Sequence, residues 1–230
     1  MDAQRLGYLH DLGITVWERR KQPAATTVQS AQPGLSGDSR AATISGMDWP
    51  QLEAAVKACT ACGLRAGCTQ TVFGVGDRQA EWLVIGEAPG ADEDKQGEPF
   101  VGRAGQLLNS MLAAIGLKRE QVYIANILKC RPPNNRDPKP EEAELCRPFL
   151  ERQIALIQPK LILAVGRIAA QNLLNTDTPI GKLRGRVHQV NGIPVVVTYH
   201  PAYLLRSPGE KRKAWVDLQF AVRTLKEQSA

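Results

Sequence analysis

The sequence predicts an α/β protein of three layers, α/β/α, built on a central, mostly parallel four-stranded sheet. Two observations carry that expectation. Four short apolar runs recur along the chain: Trp82–Gly86 (WLVIG), Val122–Asn126 (VYIAN), Leu161–Gly166 (LILAVG) and Ile193–Thr198 (IPVVVT). Each is too short for a helix and rich in Val and Ile, like a strand buried in a parallel sheet. Between and after them lie stretches with helical patterning, Arg103–Ile115, Pro140–Ile157, Arg167–Leu174 and Glu210–Lys226. Strand alternating with helix requires a parallel sheet covered on both faces.

Ahead of the first strand the chain divides into three. Residues 1–20 read as a short amphipathic segment whose apolar members are Leu6, Leu9, Leu12, Ile14, Val16 and Trp17. Helical spacing holds to Leu12, and Gly13 ends it. Residues 21–46 are rich in Ala, Ser, Thr, Gln, Gly and Pro. Such a segment buries too little apolar surface to offset its ordering entropy, so it reads as a flexible linker. The leading segment is then a tethered module, expected to engage a protein partner. The main domain spans residues 47–230 and opens with a helix, Asp48 as its N-cap and Pro50 in its first turn.

Composition narrows the class. With 43% hydrophobic and 23% charged residues the chain can bury a core. No apolar run approaches the roughly 18 residues of a membrane span, and the N-terminus lacks a signal-peptide pattern. The expectation is a cytoplasmic monomer with no membrane contact. The formal charge is +6, and its distribution is uneven. Residues 181–230 hold nine of the 29 basic side chains and three of the 23 acidic ones, while the rest of the chain is balanced. A one-sided basic surface suits a polyanion such as a nucleic-acid backbone, although a solvated basic helix accounts for it equally well.

Five cysteines are present: Cys59, Cys62, Cys68, Cys130 and Cys146. In a cytosolic chain, clustered cysteines point to a metal site or catalysis rather than disulfides. Cys59 and Cys62 form a close pair, and Cys130 and Cys146 stand apart from each other. Four thiolates can hold zinc or an iron–sulfur cluster, and spacing alone chooses neither, nor does it exclude buried inert thiols. Cys68 stands outside the pair as a structural or free thiol.

In open parallel sheets ligands bind beyond the C-terminal strand ends. Glu87-Ala88-Pro89-Gly90 follows the first strand, Lys129-Cys130 comes just past the second, and Tyr199-His200-Pro201 follows the fourth. At these places the residues resemble a known family. Gly86–Asn109 (GEAPGADEDKQGEPFVGRAGQLLN), Tyr123–Pro138 (YIANILKCRPPNNRDP) and Thr198–Arg206 (TYHPAYLLR) are similar to three motifs of the family 4 uracil-DNA glycosylases. Cys59–Asp77 (CTACGLRAGCTQTVFGVGD) is similar to that family's opening segment. The resemblance runs in order from about Met47 to Lys226 and leaves residues 1–46 outside.

The resemblance implies an enzyme that flips uracil out of single- or double-stranded DNA and hydrolyses its N-glycosidic bond, leaving an abasic site for base excision repair. It implies a [4Fe-4S] cluster on Cys59, Cys62, Cys130 and Cys146, with a structural role, and leaves Cys68 unassigned. Glu87 falls on the catalytic acidic residue, Phe100 on the aromatic that stacks on uracil, Asn126 on the amide that reads the base edge, and His200 on the histidine at uracil O2. Glu93 falls where the family guards the C5 side of the ring. Gly86 and Ala88 bring backbone N–H groups to the same turn.

The chemistry asks for these groups. Breaking the bond from C1′ to N1 leaves positive charge on the sugar, which a carboxylate such as Glu87 relieves, and negative charge on the base, which a donor such as His200 stabilises. One amide matches the O4 acceptor and N3 donor of uracil and mismatches cytosine at both. Leu204 and Leu205 are candidate wedges for the vacated stack, and Arg206, Lys211, Arg212 and Lys213 candidate phosphate contacts. Each residue also has an ordinary structural reading: Glu87 as a carboxylate at a helix start, Asn126 as a cap, His200 as a satisfied histidine, and Phe100 and the two leucines as core. Two other functions stay open on the sequence. One is a uracil-DNA binder that traps its product through a histidine, for which no histidine-bearing insertion exists. The other is a non-catalytic iron–sulfur DNA-binding module.

Overall fold

The structure is a computed structural model, and it describes residues 37–228. The expected amphipathic module at 1–20 and the first part of the expected linker lie outside those residues. The last part of that linker is corrected: α1 (Gly37–Ser45) is a helix. Ile44 in it is buried against Leu52, Val56, Phe73 and Phe149. The Arg40 guanidinium lies 4.8 Å over the Phe149 ring and donates to the Leu145 carbonyl at 2.7 Å. Composition undervalued the segment because tertiary burial of one side chain, rather than propensity, holds a helix this short.

The next helix, α2 (Trp49–Lys57), starts as expected. Asp48 Oδ1 accepts from Gln51 N at 2.9 Å, and Gln51 Oε1 accepts from Asp48 N at 3.1 Å, a reciprocal capping box with Pro50 in the first turn.

The sheet contains β1 (Val75–Gly76), β2 (Trp82–Gly86), β3 (Tyr123–Asn126), β4 (Leu161–Val165), β5 (Val187–Val190) and β6 (Ile193–Thr198), in the order β1-β3-β2-β4-β6-β5. The four expected strands form the parallel centre. The sheet has six strands because β1 and β5 add antiparallel edges. Neither edge carries an apolar run. β1 has two residues, and β5 (VHQV) exposes every second side chain. The β5–β6 turn is Asn191-Gly192, with φ of 52° and 79°, the left-handed pair that a tight hairpin requires.

Between the strands run α3 (Ala91–Gln96), α4 (Arg103–Ala114), α5 (Pro140–Ile157), α6 (Arg167–Leu174) and α7 (Ile180–Leu183), and after β6 come α8 (Pro201–Arg206) and α9 (Lys211–Gln228). They cover both faces. Leu83, Ile85, Ala125, Ile162, Ala164 and Val197 point toward Leu150 and Ile154 of α5 and Ala169 of α6. Trp82, Val84, Ile124, Leu163 and Val196 point toward Leu108 and Leu112 of α4 and Leu218 of α9. Alternate residues of one strand thus serve two cores, which explains why each run is apolar throughout. Among the described residues no helix is long and apolar enough to cross a membrane.

Candidate active site

A cleft of about 410 Å³ opens at the C-terminal ends of β2, β3 and β6. Glu87, Ala88, Glu93, Phe100, Asn126, His200 and Arg206 all line it. Sequence separations of up to 119 residues between Glu87 and Arg206 close there because three parallel strands end at one edge.

Gly86 and Asn126 are register partners at the ends of β2 and β3. A Cβ at Gly86 would collide with Asn126 Oδ1 and lie 2.6 Å from the Phe100 ring, so only glycine admits both side chains. Asn126 is 2% exposed, and its Oδ1 is the buried side-chain polar atom left without a hydrogen-bond partner among the described residues. Such an orphan costs about 1–3 kcal/mol.

Asn126 is held from behind. Its carbonyl accepts from Lys129 Nζ at 3.0 Å, and the same ammonium donates to Gln153 Oε1 at 2.6 Å. Gln153 Nε2 in turn donates to the Phe73 carbonyl at 2.9 Å. Burial lowers the Lys129 pKa to about 8, with the Cys146 sulfur opposing that shift. Sequence reasoning passed over this network, because a lysine beside a cysteine carries no linear sign that it points inward.

Phe100 is buried with its backbone at φ 54°, and its ring lies 5.5 Å from the His200 ring at a 30° tilt. Left-handed backbone at a bulky residue costs on the order of 1–3 kcal/mol. Glu93 helps hold it. Its carboxylate accepts from the N–H groups of Gly90 (3.1 Å), Val101 (3.0 Å) and Gly102 (3.3 Å). Glu93 therefore shapes the Phe100 loop while lining the cleft, a structural duty that the sequence did not reveal. Gly105 allows the same loop to close, since a Cβ there would overlap the Phe100 carbonyl.

His200 caps α8, and its Nδ1 accepts from Ala202 N at 3.1 Å. That bond leaves the ring proton on Nε2. Burial pushes the imidazole down to about 4, with Arg206 adding to the effect and Glu93 opposing it, so the ring is neutral near pH 7 and retains an Nε2–H donor. Gly166, at φ 102°, makes room, since its Cβ would lie 2.9 Å from the His200 Cβ.

Glu87 is half-buried on the turn after β2. Burial raises its carboxyl to about 7, the Asp137 charge pushes the same way, and Arg167 pulls back. Asp137 lines the cleft and pairs with Arg167 at 2.6 Å. Neither residue of this pair was singled out from the sequence, where nothing links positions 137 and 167.

The cysteines gather on a second cavity, at the far side of the β3–α5 connection. Cys59, Cys62, Cys130 and Cys146 line it together with Val56, Leu64, Leu128 and Phe149. Burial raises the thiols of Cys130 and Cys146; neighbouring sulfurs add to the rise, while at Cys146 the Lys129 charge and backbone N–H oppose it. Two donors approach the sulfurs: Lys129 N to Cys146 Sγ at 3.3 Å and Arg40 Nη2 to Cys59 Sγ at 3.6 Å. Among the described residues no three such side chains converge on a point that would hold one metal ion. The four sulfurs instead surround an apolar space. Four sulfurs around one apolar space, with burial opposing ionisation at Cys130 and Cys146, fit a multi-atom cationic centre, which would bind them as thiolates. Cys68 is buried beside Cys130, its thiol directed at the Arg65 carbonyl at 3.7 Å.

One site assignment is corrected. Leu204 is 1% exposed and packs under the sheet, so it belongs to the core and cannot enter a base stack. The helix turns it inward, because the apolar face of α8 packs against α4. Leu205 is half-buried, and Tyr203, which was overlooked, is exposed and lines the cleft. Arg206, Lys211, Arg212 and Lys213 are exposed around the start of α9, and Lys213 is paired with Glu210 at 2.8 Å.

Residues 73–219 match the family model described as the Uracil DNA glycosylase superfamily. The chain is 50% identical over 161 residues to a type-4 uracil-DNA glycosylase of Archaeoglobus fulgidus, covering 66% of this chain and 81% of that one. It is 43% identical over 177 residues to a type-4 uracil-DNA glycosylase of Thermotoga maritima, and 41% identical over 180 residues to one of Pyrobaculum aerophilum, covering 75% of this chain and 92% of each relative. With the cleft, the strand-end residues and the four-cysteine cavity in place, the chain belongs to the uracil-DNA glycosylase superfamily and, within it, to the type-4 group.

Proposed function

We propose that this protein removes uracil from DNA as a monofunctional glycosylase, hydrolysing the bond between C1′ and N1 and leaving an abasic site for base excision repair. The observation that carries the reading is the orphaned Asn126 Oδ1, buried beside the Phe100 ring. It is an acceptor awaiting a donor, and uracil N3–H is one. The Asn126 amide NH₂ then donates to O4, and the Phe100 ring stacks on the base. Cytosine presents an acceptor at position 3 and a donor at position 4, so it would leave buried groups unpaired at about 1–3 kcal/mol each. A base can reach this floor only after leaving the duplex stack.

His200 faces the other charge. As a neutral imidazole its Nε2–H donates to uracil O2, where the departing base becomes an anion. Glu87, titrating near neutrality, accepts a proton from the attacking water or offsets the positive sugar as its carboxylate. Glu93 keeps Phe100 in place and occupies the wall of the pocket. Arg206, Lys211 and Arg212 supply positive charge for phosphates.

The four cysteines Cys59, Cys62, Cys130 and Cys146 would hold a [4Fe-4S] cluster, which would tie α2, the loop after β3 and α5 into one rigid unit. The chain's own residues carry the reaction. The Lys129–Gln153 network joins that unit to the Asn126 carbonyl, so a bound cluster would help hold Asn126 in place. A cytoplasmic location, where thiolate ligands stay reduced, goes with this reading.

The test is one uracil-containing oligonucleotide, single- and double-stranded, cleaved by alkali after incubation, alongside an iron and sulfide count. Glu87→Gln and Asn126→Ala should each cut uracil release at least tenfold with the cluster absorbance unchanged. Full activity in both variants would sink the assignment. Absence of any alkali-labile site with loaded wild-type protein would make the chain a DNA-binding module instead.

A further inference from the structure

The strained backbone at Phe100 has two supports, on opposite sides of the loop. Glu93 takes the N–H groups of Val101 and Gly102. Arg119, on the turn just before β3, takes the carbonyls: Nη2 donates to the Pro99 oxygen at 2.5 Å and Nη1 to the Phe100 oxygen at 3.2 Å. Nη1 also reaches Asn109 Oδ1 on α4 at 3.3 Å. Arg119 is half-buried and is not among the residues that line the cleft. Its charge faces Glu98 and Glu93, so it is balanced without any ligand.

A non-glycine residue stays at φ 54° only where its surroundings over-determine it. The planar fork of a guanidinium spans two consecutive carbonyls, which a lysine ammonium cannot match. We propose that Arg119 is a positioning residue for base recognition: it clamps the Pro99 and Phe100 carbonyls so that the Phe100 ring stays beside His200 and against Gly86, ready to stack on the flipped base. This rests on reading the cleft as the uracil pocket. Releasing the clamp lets Phe100 relax to an ordinary backbone conformation and carries its ring off the pocket wall. Arg119 bonds neither Glu87 nor His200, so the main loss falls on base binding.

The experiment uses the full, cluster-loaded chain and reads binding apart from cleavage. The probe is a single-stranded oligonucleotide with one 2′-fluoro-2′-deoxyuridine, whose fluorine disfavours the cationic sugar and slows bond breaking. The same oligonucleotide with thymidine is the reference. Arg119→Gln should weaken binding of the fluorouridine probe about tenfold, the scale of one lost aromatic–base stack, and leave thymidine binding unchanged. Arg119→Lys should fall between it and wild type. Phe100→Ala should lose as much, and the double variant no more than Phe100→Ala alone, because Arg119 acts through that ring.

Wild-type preference in Arg119→Gln overturns the proposal, and so do effects that multiply in the double variant. If Arg119→Gln does not fold, Arg119→Lys decides, and wild-type preference there overturns the proposal. A loss in Phe100→Ala with both Arg119 variants silent defeats the clamp and leaves the uracil pocket standing. Unchanged preference in Phe100→Ala defeats the pocket reading and the clamp with it.

Discussion

Asn126 sits opposite Gly86 in the parallel pairing of β3 with β2, and the missing side chain of Gly86 is the space that Asn126 Oδ1 and the Phe100 ring share. A methyl group there would displace one or the other. Gly86→Ala should therefore reduce uracil release by two orders of magnitude or more, on the scale of losing an active-site hydrogen-bonding group. The rest of the strand is undisturbed, so cluster absorbance and helical circular dichroism should stay at wild-type values. Activity within threefold of wild type would mean that neither side chain reads the base.

The pH dependence follows from Glu87 and His200. The Glu87 carboxyl titrates near 7 and works as the carboxylate, so kcat/KM should rise with pH through about 7 and then level. His200, neutral above about 4, adds no limb near neutrality. Asp137→Asn removes a negative neighbour, so it should lower the Glu87 pKa and move the limb to lower pH. Arg167→Gln removes a positive neighbour and should move it to higher pH. Shifts in the same direction for both variants would contradict the electrostatic account.

Leu204 belongs to the core between α8 and α4. Leu204→Ala should cost about 2–5 kcal/mol in denaturant unfolding, the range for emptying a buried leucine site. The salt dependence of DNA binding should not change. A stable Leu204→Ala protein with weakened DNA binding would return this residue to the DNA surface.

Lys211 and Arg212 are exposed at the start of α9, whereas Lys213 is paired with Glu210. Exchanging Lys211 and Arg212 for glutamine should flatten the plot of log K against log salt, by up to about 0.9 for each duplex phosphate that is no longer neutralised. Lys213→Gln should change it less, because part of that charge is already spent on Glu210. Equal slopes in wild type and the double variant would place the phosphate track elsewhere on the surface.

The sequence by itself determined the parallel centre of the sheet, the main helices, the capped start of α2 and the strand-end positions of Glu87, Asn126 and His200. Those features are periodic or local: apolar runs, cap residues and the rule that ligands gather where parallel strands end. Motif resemblance supplied the rest of what was legible, namely the substrate and the four cysteines proposed as cluster ligands. Tertiary structure decided what depends on partners distant along the chain. It folded residues 37–45 onto Phe149, buried Leu204, turned Glu93 to the backbone of the Phe100 loop, and brought Lys129 to Gln153 and Arg119 to Phe100. A hydrogen bond or a buried face between residues far apart in sequence leaves no period and no spacing to read. The cleft's electrostatics belong with these, because the burial that raises Glu87 and lowers His200 is produced by the whole fold.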